Sequence, residues 1–279
     1  MAPTPEPSGS PEPSGSPEPS GSPEPSGSPE PSGSPEGQVW SEQARRAAAH
    51  VFVDDLAQPR LNREDRHHLE RVLRLRTGEM VSTVDGQGGW RLCRLGLGGE
   101  LGPVGERVTP SVPVPDLTVG FAVTKADRPE WAVQKLTELG VDRILPLHTG
   151  RSVVHWDGER AVRHVDRLRE VARQAAMQCR RLRVPVVEAV IPVGALLDPD
   201  AAWSTSLALA APGGGPPSLR RPMILVGPEG GWTPEEEAAA PGTVDLGPLV
   251  LRSETAALVA GALLAALRHS LLSEPHLLR

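Results

Sequence analysis

The sequence predicts an α/β fold: a largely parallel sheet, preceded by a small barrel of short strands and by a tail with no fold of its own. Three observations point there. After Asp116, apolar β-branched runs alternate with amphipathic helical patterns, as in strands joined by helical crossovers. Between Val51 and Val112, short alternating runs are separated by glycine turns, which suits a small barrel. From Pro5 to Ser34 the chain repeats PEPSGS five times, with no large apolar side chain to offset the entropy of ordering.

Taken in order, residues 1–37 are therefore expected to be a solvated, disordered tail, kept extended by proline and loosened by Gly-Ser. The tail also explains the charge. Its six Glu account for the whole net charge of −6, so the chain from Gly37 onward is neutral and its acidic pI says nothing about a ligand. Lys occurs only at Lys125 and Lys135; the remaining cations are Arg, clustered at Arg71, Arg74 and Arg76 and again from Arg163 to Arg183. Such clusters on a neutral domain bind phosphate backbones through one face, or are merely solvated helix faces. Cys93 and Cys179 form neither a disulfide framework nor a metal spacing, which suits a reducing cytoplasm. No apolar h-region opens the chain and no apolar run approaches about 20 residues, so neither signal peptide nor membrane span is expected.

The barrel unit is expected over 38–112. VFVDD is a short strand. NREDRHHLERVL is a helix capped by Asn62, with Leu69, Val72 and Leu73 on its inner face. EMVSTVDGQGGWRLCRLGL is a hairpin turning at DGQGG. The proline-broken SVPVPD marks the boundary. The second unit, 113–279, opens with the strand LTVGFAV. A helix follows, with Pro129 near its start and Gly140 past its end. Then come the strand VDRILPL and a helix from Ala161 to Cys179 with Val162, Val165, Leu168, Ala172 and Ala175 inward. VPVVEAV, SLALAA, PMILV and TVDL are further strands, and an apolar helix from Ala256 to Leu272 closes the fold.

In LVGPEGGWTPEE a strand runs into Gly227-Pro228-Glu229-Gly230-Gly231, then a helix with Thr233 as N-cap, Pro234 first and Glu236 completing a capping box. Glycines let a ligand approach the backbone. An anion is disfavoured there, because Glu229, Glu235, Glu236 and Glu237 crowd the helix start. A neutral adenosine or a cation fits better, although a purely structural turn has the same grammar. TVDLGPLVLRSETAAL repeats the design, with Ser253 or Thr255 as cap, so neighbouring strands are expected to end in Gly-Pro turns, and SLALAAPGGG ends in a third glycine run. Three such ends on one sheet edge would give an uncharged pocket of backbone groups able to read a purine. No HxxxH or CxxC pattern suggests a metal.

ILVGPEGGWTPEE followed by LGPLVLRSETAA resembles the signature of the SPOUT methyltransferase superfamily, and more narrowly the small-subunit (16S) ribosomal RNA (uracil-N3) methyltransferase family. TKADRPEWAVQKLTELGVDRILPLHTGRSVV is similar to that family's central motif, RQAAMQCRRLRVPVV to its Arg-rich helix, and HHLERVLRLRTGEMVSTVDG to its N-terminal PUA-like RNA-binding barrel. The match runs in order from about Val51 to Leu272. Two positions depart from it: Leu249 stands where the family usually has Arg, and Met177 where it often has Glu.

The resemblance implies a trefoil-knotted domain holding S-adenosylmethionine in three loops. It places Ala211, then Gly227 to Gly231, then Leu246, Gly247, Leu251, Ser253 and Thr255 at the cofactor. It implies methylation of N3 of one uridine in small-subunit rRNA, and a homodimer. Another SPOUT target, ribose or a different base, and a non-catalytic RNA-binding protein of the same fold are the alternatives. Removing the N3 imide proton leaves negative charge on the flanking carbonyl oxygens, which a fixed cation would stabilise. Arg252, Arg151 and Lys125 are the candidates; an ion pair of Arg252 with Glu254 is the competing role. Arg71, Arg74, Arg76, Arg163, Arg167 and Arg181 are the candidate RNA contacts. Trp232 either stacks on a base or adenine, or staples the helix start.

Overall fold

The computed structural model describes residue 1, residue 44, and residues 46–125 and 127–273; the expected tail, apart from Met1, lies outside them. The first unit is a four-stranded sheet in the order β1-β2-β3-β4, formed by Ala49–Phe52, Met80–Val84, Trp90–Leu95 and Leu101–Pro103. The hairpin β2–β3 is antiparallel as expected, and β1 joins β2 in parallel. Helix α1, Arg63–His67, is capped by the Asn62 side chain, which accepts from the Asp65 N–H at 2.7 Å.

That helix then widens into a π turn over His68–Val72, closed by the Leu73 N–H donating to the His68 carbonyl at 2.9 Å. The extra residue rotates the end of the helix. Leu69 stays buried, but Val72 and Leu73, expected on the inner face, are 62% and 47% exposed.

The second unit has seven strands. Thr118–Ala122 (β5), Arg143–His148 (β6), Val186–Val187 (β7), Ile191–Pro192 (β8), Leu207–Gly215 (β9), Met223–Val226 (β10) and Thr243–Val244 (β11) run in the order β11-β9-β10-β5-β6-β7, with β8 also on β6. Every pairing is parallel. Alternate residues divide between the two faces. Val119, Phe121, Ile144, Ala208 and Ile224 join one core with Leu136, Leu168 and Leu264. Leu145, Leu147, Leu207, Leu209 and Leu225 join a second core with Leu196 and Trp232. A parallel sheet covered on both faces needs such apolar runs.

The helices are α2 (Arg128–Glu138), α3 (Gly158–Gln178), α4 (Val193–Leu197), α5 (Pro234–Ala239) and α6 (Ser253–Arg268). Gly140, at φ +91°, ends α2 as expected. Four details differ from expectation. VPVVEAV and TVDL shorten to two-residue strands, and α6 starts and stops earlier than Ala256–Leu272. Val162 turns outward at 59% exposure, because Ala161, four residues before the buried Val165, takes the inward position on α3. Strand β9 stands between β10 and β11, so the two Gly-Pro turns are not on adjacent strands.

The glycine run is also not a simple strand end. Leu209 pairs with Thr243 and Gly215 with Val244, so residues 210–214 form an excursion against a single step of β11. Among the described residues, no helix is long and apolar enough to cross a membrane.

Gly261 sets the approach of α6 to α2: a Cβ there would lie 2.8 Å from Leu136 Cδ2 and 3.1 Å from Val141 Cγ2. Gly261→Val is expected to lower stability by about 1–3 kcal/mol through overpacking. Gly194→Ala, with nothing within 4 Å of the added carbon, should leave the melting curve unchanged or raise it slightly. Thermal unfolding followed by circular dichroism checks both.

Candidate functional site

Three segments meet at the carboxyl ends of the strands: first the loop 227–231 after β10, second the 210–214 excursion of β9, and third the loop after β11. Trp232 fastens the first to the second. Its ring is 4% exposed and its Nε1–H donates to the Ala210 carbonyl at 2.9 Å. A Cβ on Gly227 would lie 3.1 Å from that ring, so the glycine lets the loop lie flat on the indole. Trp232 therefore acts in the packing, not as an exposed stacking surface.

Asp245 fastens the second loop to the third. One carboxylate oxygen accepts from the Gly213 N–H at 2.9 Å and the other from the Gly247 N–H at 2.8 Å. These two N–H groups, Gly247 first, hold its pKa below the usual carboxylate value. Gly247 is at φ +127° and Gly231 at +71°, conformations that favour glycine.

A fourth segment, His148 to Ser152 after β6, docks on the first loop. Arg151 Nη1 donates to the Gly230 carbonyl at 2.9 Å. Glu236 closes the capping box with Thr233 and also accepts from the Gly150 N–H at 2.8 Å. His148 receives the Trp156 N–H on Nε2, and burial lowers its pKa, so the neutral ring serves as a backbone acceptor.

Arg128, at the start of α2, reaches both Glu229 (3.3 Å) and Glu254 (3.7 Å). It thereby takes the partner that would otherwise compete for Arg252. Arg252 is the N-cap of α6 and exposed; its carbonyl accepts from the Ala256 N–H at 2.8 Å, and its side chain makes no hydrogen bond or ion pair among the described residues. Lys125, exposed after β5, makes none there either.

The cap expected from Ser253 or Thr255 is absent. Arg252 occupies that position without a side-chain bond, Thr255 is exposed, and Ser253 is buried with its hydroxyl unpartnered. Leu246 and Leu251 pack onto the main core, while Leu249 and Val250 project at 75% and 100% exposure. Pro228 is buried beneath its loop; Glu229 and Gly230 face outward, and Ala211 lies half-buried in the β9 excursion.

Among the candidate RNA contacts, Arg71, Arg74 and Arg76 are exposed after α1, and Arg163 and Arg167 are exposed on α3. Between these helices runs a groove of about 980 Å³ with Arg63, His67, His68, Arg173 and Gln174 along it. Arg181 belongs elsewhere. Its side chain is 15% exposed, pairs with Asp142 at 3.3 Å, and donates to the Thr137 and Val141 carbonyls. Those bonds hold it inside the fold, away from the exposed helix face expected for it, and make it a tie between α2 and the strand that follows.

Comparison with known proteins gives the family. A family described as an RNA methyltransferase domain matches residues 110–265. Over 216 residues the chain is 37% identical to the ribosomal RNA small subunit methyltransferase E of Mycobacterium tuberculosis, covering 69% of this chain and 80% of that protein. The chain belongs to the ribosomal RNA small subunit methyltransferase E family. The Neisseria gonorrhoeae member of that family, solved bound to S-adenosyl methionine, is 30% identical at a TM-score of 0.62, covering 78% of this chain and 97% of that one. A probable rRNA-methyltransferase from Porphyromonas gingivalis superposes at 0.67 with 26% identity, covering 80% and 100%.

Within this member of the family, Asp245 and Arg128 are the site residues that sequence reasoning passed over. An Asp two residues before a glycine is an Asx-turn signal, so Asp245 was findable. Arg128 was not, because its partners lie 101 and 126 positions away.

Asp245→Ala should speed amide hydrogen exchange at 210–215 and 245–250 while leaving the global melting temperature little changed. Because the folded-state pKa is depressed, the protection conferred by Asp245 is present above the ordinary carboxylate range. It fades as pH falls through the lowered value. Exchange mass spectrometry of both proteins checks the substitution and the pH trend.

Proposed function

We propose that the chain transfers a methyl group from S-adenosylmethionine to N3 of one uridine in small-subunit ribosomal RNA. The observation that carries this reading is the stitched trio of loops at the carboxyl ends of β9, β10 and β11. It offers backbone groups, an acidic rim and no phosphate-binding lysine. The Glu235 carboxyl is held below its usual pKa by its own N–H and by Thr233, so the rim stays anionic. That chemistry suits an adenosine ligand with no phosphate and a positive sulfonium. The buried, unpartnered Ser253 hydroxyl supplies a further polar contact.

In this assignment Ala211, Gly227, Pro228, Glu229, Gly230, Gly231, Leu246, Gly247, Leu251, Ser253 and Thr255 hold the cofactor, which supplies the methyl group. Arg252 is the cation beside the uracil carbonyl, supported by its exposure and its freedom from Glu254. Arg151, whose guanidinium already braces Gly230, and Lys125 position the nucleotide. Arg71, Arg74, Arg76, Arg163 and Arg167 contact the RNA backbone on either side of the groove.

We further assign residues 38–112 to a PUA-like unit and 113–279 to a trefoil-knotted SPOUT unit. A two-fold dimer is supported by the half-buried apolar stripe Leu258, Val259, Ala262, Leu263 and Ala266 on α6. Free cysteines fit a cytoplasmic protein.

Gly230→Val should abolish S-adenosylmethionine binding in a protein that stays folded. A Cβ at 230 would already lie 3.5 Å from Arg151 Cβ, and the branched carbons beyond it would enter the space the ligand needs over the loop. Calorimetry reads the result, and unchanged affinity would remove the loop from the cofactor site.

Arg252→Ala should lower kcat about 100-fold or more, with KM for RNA little changed, since its effect belongs to the transition state. Arg252→Lys should recover part of the loss, a point charge replacing a planar fork. Single-turnover methylation at saturating cofactor separates this from a phosphate contact, which would raise KM alone.

A further inference from the structure

At the amino ends of the strands, opposite the glycine-rich loops, lies a cavity of about 260 Å³. The segment joining the two sheets borders it at Pro110 and Pro113, and the segment after α3 borders it at Arg180, Arg181 and Arg183. Arg268, the last residue of α6, and Asp142, just before β6, complete its charged lining.

Leaving Arg180 aside, three guanidinium groups face one carboxylate. Asp142 is shared by Arg181 and Arg268. The other acceptors of these three are main-chain carbonyls, which bond to an arginine without neutralising it. Arg181 donates to Thr137 and Val141, Arg183 to Pro110, and Arg268 to Gly140. Their positive charge therefore exceeds the negative charge beside it, in a partly enclosed space where water screens it poorly.

A second observation points to a ligand. The Arg268 side chain is 6% exposed, yet its Nε–H is buried without an acceptor. Buried donors are almost always paired, and an orphan marks a place where an acceptor belongs. Burial, with Arg268 adding to it, also lowers the pKa of Arg181 against the pull of Asp142. An anion among these groups would relieve that repulsion.

We propose that this cavity is a binding site for a phosphate group. A tetrahedral oxyanion accepts several N–H bonds at once from planar guanidinium forks. The volume exceeds that of a bare ion, and Pro110, Pro113 and Leu182 give apolar walls for the sugar or ester it carries. The phosphate comes either from an RNA backbone, which rests on the methyltransferase reading, or from a free phosphate or monoester, which does not. Because the cavity joins the linker between the sheets to the segment after α3, a bound phosphate would also stiffen the junction of the two units.

The test uses the full chain with no cofactor, so it stands or falls apart from methyl transfer. Inorganic phosphate is titrated calorimetrically at constant ionic strength, chloride making up the balance. The wild-type protein should show saturable binding. Arg183→Gln, which gives up a guanidinium bonded to the Pro110 carbonyl, should bind about tenfold more weakly. Arg183→Lys should keep most of the affinity, and Arg220→Gln, outside the cavity, all of it. Melting curves verify that each variant is folded.

A second arm measures binding of an RNA oligonucleotide with and without saturating phosphate. Competition in the wild type that disappears in Arg183→Gln assigns the site to the RNA backbone. Simultaneous binding of both assigns it to free phosphate. Absence of saturable phosphate binding, or equal binding by Arg183→Gln, overturns the proposal.

Discussion

The contact on which the site depends is the burial of Trp232 beneath Gly227. One indole does two things there. Its face supports the glycine-rich loop, which a side chain at 227 would crowd against the ring, and its N–H fixes the Ala210 carbonyl of the neighbouring excursion. An indole buried with its N–H unpaired would be costly, so hydrophobic packing and a polar demand select the same geometry. The remaining ties build on that placement. Asp245 carries the constraint from the excursion to the third loop, and Glu236 and Arg151 carry it to the segment after β6.

Much of the fold was legible because its signals are local. The period-2 division of β6, β9 and β10 between two cores is written in their apolar runs, and Asn62, Thr233 and Glu236 announce their caps. The glycines of the first loop were legible for the same reason. What could not be read depends on distant partners or on small changes of pitch. Arg181 looked like a member of a basic helix face until Asp142 and two carbonyls, some 40 residues earlier, claimed it. Val72 and Leu73 followed helical periodicity, but one extra residue in a π turn moved them outward. The position of β9 between β10 and β11 is a matter of topology, and local pattern carries no information about it.

Arginine serves three distinct ends in this chain, and lysine is nearly absent. Arg181 and Arg268 use flat, multiply donating heads to gather carbonyls inside the fold. Arg128 bridges two carboxylates on different loops. Arg252 is left uncommitted at the start of α6 among the described residues. A guanidinium stays charged even when buried and offers five donors in fixed directions, so one residue type meets all three needs where an ammonium would tend to shed its proton.

The excursion in β9 has an evolutionary side. Strand β11 holds β9 on both flanks of residues 210–214, at Leu209 and at Gly215. A length change between those anchors would not slip the register of either strand, so every side chain of the sheet would keep its face. The sheet edge and the loop it carries can therefore diverge independently. A length change in this short span would leave the core in register and act on the rim of the pocket, where the Ala210 carbonyl and the Gly213 N–H are the ties that it would have to keep.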